Sequence, residues 1–159
     1  LERNGDVVHM TSYAPLLAKE KHTQWSPDLI YFNNREVKPT TGYYVQKLYG
    51  QNAGSHYIPS QIILDNQDNR VKLRIGSSIV RDSKTGDVIV KLVNLLPVSV
   101  ETEIQLPGIG SVQPSAVRTV LVGAPESTPL PVTDTIEVGT NFKQQLPAYS
   151  FTVIRLKTK

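Results

Sequence analysis

The chain of 159 residues sets 17 Lys and Arg against 14 Asp and Glu, a formal charge of +3, with 39% apolar residues, 19% charged residues and no cysteine. Its basic residues are scattered rather than gathered into the stripe that a nucleic acid requires, and no apolar run approaches the roughly 20 residues of a bilayer span, so neither partner is expected. The missing cysteines exclude disulfides, thiolate metal sites and a catalytic thiol, while the length allows a sizeable core in one domain or one domain with an appendage.

Gly5 and Asp6 give a turn signal, after which residues 7–13 (VVHMTSY) read as a short buried strand with a β-branched bias. Pro15 blocks a helix running on from Tyr13, and residues 19–24 form a polar, solvent-facing loop. Trp25, the only tryptophan, follows this loop and stands among His22, Gln24, Ser26 and Asp28. That combination suits a sugar: the apolar C–H face of the ring lies on an aromatic plate while carboxylate and amide groups fix the hydroxyls in direction. Trp25, Asp28 and His22 are therefore candidate substrate-binding residues. The competing reading has Trp25 packed over the end of a larger core and Asp28 tying down the loop, and the residues alone leave both open.

Residues 29–32 make a second apolar run, closed by the turn cluster Asn33, Asn34 and Arg35. Pro39 and Thr40 or Thr41 then signal a helix start, with Val45, Leu48 and Tyr49 on one face, Tyr44 adjoining it and Gly50 placed as the stop. Tyrosines at that spacing are expected in a core rather than at a ligand. Helical periodicity ends in residues 52–60 (NAGSHYIPS) and a period of two takes over, which places a domain boundary near Gly54 and divides the chain into residues 1–53 and 54–159. His56 in this linker has no metal-ligand set beside it.

From Ile62 strands are expected in quick succession. Val71, Leu73 and Ile75 alternate with Lys72 and Arg74; residues 79–81 and 88–93 flank a loop, 82–87 (DSKTGD), with the Gly and Asp of a hairpin. Val98, Val100, Thr102, Ile104 and Leu106 alternate with Glu101, Glu103 and Gln105, giving one buried and one wet, acidic face up to Pro107 and Gly108. Residues 116–122 form a further strand closed by Gly123 and Pro125, residues 126–134 a Pro- and Thr-rich connection, and residues 149–156 a closing strand. Short strands about ten residues apart with polar turns describe an antiparallel β-sandwich, jelly-roll-like in kind.

Three segments in the first third, SYAPLLA (12–18), HTQWSPDLIYF (22–32) and YYVQKLY (43–49), resemble in content and order the region just before the C-terminal domain in the α-L-arabinofuranosidases of glycoside hydrolase family 51. The end of the chain, LPAYSFTVIRL (146–156), resembles the last strand of the C-terminal sandwich of many glycoside hydrolases, this family included. The resemblance implies that residues 1–53 are the last β/α piece of a (β/α)8 catalytic barrel and residues 54–159 its C-terminal β-sandwich. The Trp25 loop would then follow a late barrel strand, on the face where such loops build active sites. The parent implied is a retaining glycosidase that releases terminal arabinofuranosyl residues from arabinan or arabinoxylan, with an arabinose-containing polysaccharide or oligosaccharide as partner and a homo-oligomer left open. Residue 1 is Leu and no leader follows it, so the natural start, and with it the compartment, is expected to lie outside this sequence.

Hydrolysis with retention needs two carboxyl groups about 5–5.5 Å apart. Glu2, Asp6, Glu20, Asp28 and Glu36 all lie in turns or charged loops, and the resemblance puts both catalytic glutamates on earlier barrel strands. No catalytic residue, metal ligand or cofactor is assigned. His9, His22 and His56 lack paired spacing, no Gly-rich phosphate loop or nucleophile elbow occurs, and residues 82–87 lack the ligand pattern of a calcium loop. The expected role is structural or accessory. The alternative is a non-catalytic carbohydrate-binding sandwich, against which residues 60–159 hold only Phe142, Tyr149 and Phe151 as aromatics.

Overall fold

A strand with apolar residues on both faces must be covered on both sides, and residues 88–94 are such a strand: Val88, Val90 and Leu92 are buried on one side, Ile89 together with Lys91 on the other. A computed structural model, which describes residues 1–124 and 127–158, shows what covers each side. After a 3-10 turn at Glu2–Asn4 come β1 (Leu17–Lys19), β2 (Ile30–Phe32), β3 (Val37–Pro39), α1 (Thr41–Gln51) and β4 (His56–Ile58). Then follow α2 (Asn69–Lys72), β5 (Ile75–Arg81), β6 (Val88–Asn94), β7 (Val100–Gln105) and β8 (Val112–Val122). The chain closes with β9 (Val132–Glu137), β10 (Asn141–Leu146) and β11 (Ser150–Thr158).

Six strands form one antiparallel sheet in the order β4-β5-β6-β11-β8-β9, and β10 and β7 form an antiparallel ribbon. The ribbon lies on the sheet's inner face, where Val88, Val90, Leu92, Ala116, Ile154 and Leu156 meet Ile104, Leu106 and Leu146. The outer face carries Val80, Ile89, Leu121, Phe151 and Val153, and α1 covers it with Leu48, Tyr44, Val45 and Tyr49. The antiparallel sandwich expected from the period-two pattern is thus present, and Tyr44 and Tyr49 of α1 pack against the core. Asn94, fully buried at the end of β6, joins the loops at one end: its amide donates to the carbonyls of Val98 (2.9 Å), Leu146 (3.2 Å) and Pro147 (2.9 Å).

The β5–β6 hairpin forms as read, with Gly86 at φ +77° in its loop, and β7 keeps its alternation, with Glu101, Glu103 and Gln105 exposed. Four readings need correction. Residues 7–13 form no strand, and Met10 is 89% exposed; strand character is a tertiary property, and among the described residues β1 has only β2 to pair with. Residues 59–68 also carry no strand, leaving Ile62 and Ile63 exposed. The alternation of Val71, Leu73 and Ile75 gives way to α2, because Asp68 caps a helical turn by accepting from the Arg70 amide (2.8 Å), and Leu73 points to solvent at 85% exposure. Finally, Val132–Glu137 is strand β9 rather than connection; it lies at the sheet edge and needs few apolar residues. Pro125, read as closing the strand before it, and Glu126, read as the start of that connection, lie outside the described residues. The helix runs through Gly50 to Gln51, and Asn52 caps it, its side chain donating to the Leu48 carbonyl (2.9 Å).

Candidate functional site

The first forty residues build a small sheet, β1-β2-β3, in which β1 and β2 run parallel and β3 returns antiparallel. The connection between the parallel strands is residues 20–29, a bare loop holding all three residues read as sugar contacts. Asp28 is 1% exposed; its carboxylate Oδ2 lies 3.0 Å from the Thr23 hydroxyl, and its backbone N–H donates to the Tyr31 hydroxyl (2.9 Å). The Thr23 hydroxyl also accepts from the Trp25 N–H (3.1 Å). Asp28 is therefore the buried peg of the loop, and Trp25 is carried on the turn it holds. Trp25 is 67% exposed. His22 is exposed as well, placed by its backbone N–H on the Lys19 carbonyl (3.0 Å), and its side chain makes no hydrogen bond among the described residues. The loop thus joins Trp25 and Asp28 through Thr23 and leaves His22 apart.

A pair of carboxylates that is separate in sequence meets at the ends of these strands. Lys38 Nζ lies 2.8 Å from Glu20 Oε1 and 3.0 Å from Glu36 Oε1, and the Asn33 amide donates to Glu20 Oε2 (2.7 Å) and Glu36 Oε1 (3.3 Å). The hydrogen bonds from Lys38, then those from Asn33, hold both carboxyls below their ordinary value of 4.5. A general acid needs the opposite, a carboxyl raised so that it keeps a proton near neutral pH. The pair is an exposed charge network with the wrong electrostatics for glycoside hydrolysis. The only sign in the sequence is Glu36-Val37-Lys38, whose alternation puts acid and base on one side of a strand, while Glu20 comes beside them only through the tertiary fold.

Beside this network an open depression of about 560 Å³ is lined by Leu17, Phe32, Val37 and residues 33–36. Among the described residues no group of three or more His, Cys, Asp or Glu is placed to hold a metal ion, and no helix is long and apolar enough to cross a membrane.

Comparison with known proteins identifies what this arrangement resembles. Residues 1–150 match the family described as the alpha-L-arabinofuranosidase C-terminal domain. An extracellular exo-alpha-L-arabinofuranosidase of Streptomyces chartreusis is 54% identical over 61 residues, 38% of this chain and 7% of that protein. A probable alpha-L-arabinofuranosidase A of Aspergillus terreus is 37% identical over 113 residues, 70% of this chain and 17% of that protein. The chain therefore spans less than a fifth of these relatives. Among solved structures, an arabinose-bound GH51 α-L-arabinofuranosidase is 33% identical and superposes with a TM-score of 0.85 over 99% of this chain and 25% of its own.

Proposed function

The chain belongs to the α-L-arabinofuranosidase C-terminal domain family of the GH51 enzymes, and from that membership we propose that it is the non-catalytic end of a retaining α-L-arabinofuranosidase. In this reading residues 1–53 finish the catalytic barrel and residues 54–159 form a sandwich that braces it. The whole protein releases terminal arabinofuranosyl groups from arabinan or arabinoxylan by double displacement, with carboxylates that lie outside these residues. The superposition on an arabinose-bound relative over 99% of the chain carries the proposal. The lowered carboxyls of Glu20 and Glu36 support the inertness of the part in hand.

Trp25 is proposed as a wall of the sugar site, supported by its exposed ring on a turn pegged from below. Asp28 serves that wall through Thr23, and His22 contributes from the loop surface. The test compares the whole protein with this chain on an aryl arabinofuranoside. Hydrolysis with retained anomeric configuration by the whole protein, and none by this chain, is expected. Turnover by this chain that disappears in Glu20→Gln or Glu36→Gln would overturn the reading.

A further inference from the structure

The outer face of the six-stranded sheet holds one residue out of keeping with its surroundings. Lys91 stands among Ile89, Val93, Phe151 and Val153, with its side chain wholly buried. A charged amine in an apolar layer is costly unless it is paired and hydrogen-bonded. Its carboxylate comes from far away in sequence. Glu2 Oε1, in the N-terminal 3-10 turn, lies 2.6 Å from Lys91 Nζ, and Glu2 Oε2 accepts from the Ser78 hydroxyl at 2.5 Å. Ser78 and Lys91 face each other across β5 and β6, so one carboxylate spans a cross-strand pair. Tyr49 of α1 roofs the amine, its ring centroid 5.5 Å from Nζ, and Arg3 adds a bond from Nε to the Tyr57 hydroxyl (3.3 Å). Burial pushes Lys91 below its ordinary 10.5 against the pull of Glu2.

We propose that the Glu2–Lys91 pair is a clasp that fixes the position of the N-terminal segment on the outer face of the six-stranded sheet, beside α1. The inference rests on the proposed division into barrel end and sandwich. Apolar residues at both positions of the pair would serve stability as well or better, since buried ion pairs often add little net free energy. What a buried lysine adds is position: it accepts a carboxylate at one point only. The N-terminal segment and the sandwich superpose together, at a TM-score of 0.85, on a solved relative of which this chain covers 25%.

The test uses the full chain and hydrogen exchange read by NMR. In Glu2→Gln, which keeps the shape and removes the charge, the amides of Asn4, Val7 and Val8 and of the last turn of α1 exchange at least tenfold faster, roughly, while those of β6, β8 and β11 keep their rates. In Lys91→Met, which removes the cation and keeps an apolar chain of similar length, the N-terminal amides are again accelerated. This second variant carries the test if the first fails to fold. Unchanged N-terminal exchange in Lys91→Met, or acceleration spread evenly over β6, β8 and β11 in Glu2→Gln, would overturn the clasp. The readout needs no substrate, so its failure leaves the glycosidase reading standing, and an inactive parent leaves the clasp standing.

Discussion

The ring of Tyr49 on α1 lies stacked on Phe151 of β11, with centroids 4.9 Å apart and planes at 13°. This contact ties the segment before Gly54 to the centre of the sandwich. Phe151→Ala is expected to lower stability by about 3–5 kcal/mol, since the side chain is buried and leaves a cavity. Tyr49→Ala, at a half-buried position, costs roughly 2 kcal/mol, and Tyr49→Phe stays within about 0.5 kcal/mol. Urea unfolding of the three variants measures all of these.

Two glycines near the end of α1 should respond in opposite directions. A Cβ on Gly50 meets nothing within 4 Å, so Gly50→Ala restores helix propensity and stabilises by about 0.4–1 kcal/mol. A Cβ on Gly54 would stand 2.6 Å from the Val80 side chain and 2.9 Å from the Arg81 carbonyl. Gly54→Ala therefore pushes β4 off β5 and costs roughly 1–3 kcal/mol. Thermal denaturation of the two variants shows both signs.

The sandwich was legible where burial acts on both faces or strictly on one. In β6 apolar residues fill both faces with Lys91 as the one interruption before Asn94, and in β7 each glutamate marks the wet side. At β9 the signal fades because an edge strand is stabilised by backbone pairing to β8, which leaves no trace in side-chain polarity. The N-terminal segment misleads for a different reason: residues 7–13 have strand-like composition, but a ladder needs neighbours that local sequence does not supply. Likewise the Thr23–Asp28 tie is local and readable in principle, whereas the meeting of Glu20 with Glu36 depends on β1 and β3 being set on either side of β2.

In the whole protein, Trp25→Ala is expected to lower kcat/KM for an arabinofuranoside about tenfold, the equivalent of about 1.4 kcal/mol, with stability changed by less than about 0.5 kcal/mol. Asp28→Ala should do the reverse in emphasis, loosening the loop and lowering the melting temperature, because the Thr23 hydroxyl loses its bond to the buried Asp28 carboxylate. Unchanged kinetics in Trp25→Ala together with a large drop in melting temperature would make the ring a packing element.

Arg118 grips Asp134 from Nε (2.9 Å) and Nη2, and reaches across to Gln144 of β10 (2.8 Å), so it links the two layers. That grip holds the Asp134 carboxyl below its ordinary 3.8. Between the two values the unfolded chain binds more protons than the folded one, so the contribution is complete above 3.8 and is lost as pH falls through the folded value. Wild type and Asp134→Asn should therefore differ in melting temperature by a constant amount from about pH 5 to 8, and the difference should shrink towards about pH 2.

The order of the six-stranded sheet also governs when it can form. β11 is the last strand to be synthesised, yet it lies between β6 and β8, so the β4-β5-β6 unit and the β8-β9 hairpin share no ladder until it arrives. A ribosome that has not yet released residues 150–158 holds two unjoined half-sheets, with the bare edges of β6 and β8 open to a neighbouring nascent chain on the same message. Assembly of the sandwich is in this sense timed by the emergence of β11, the strand that joins its halves.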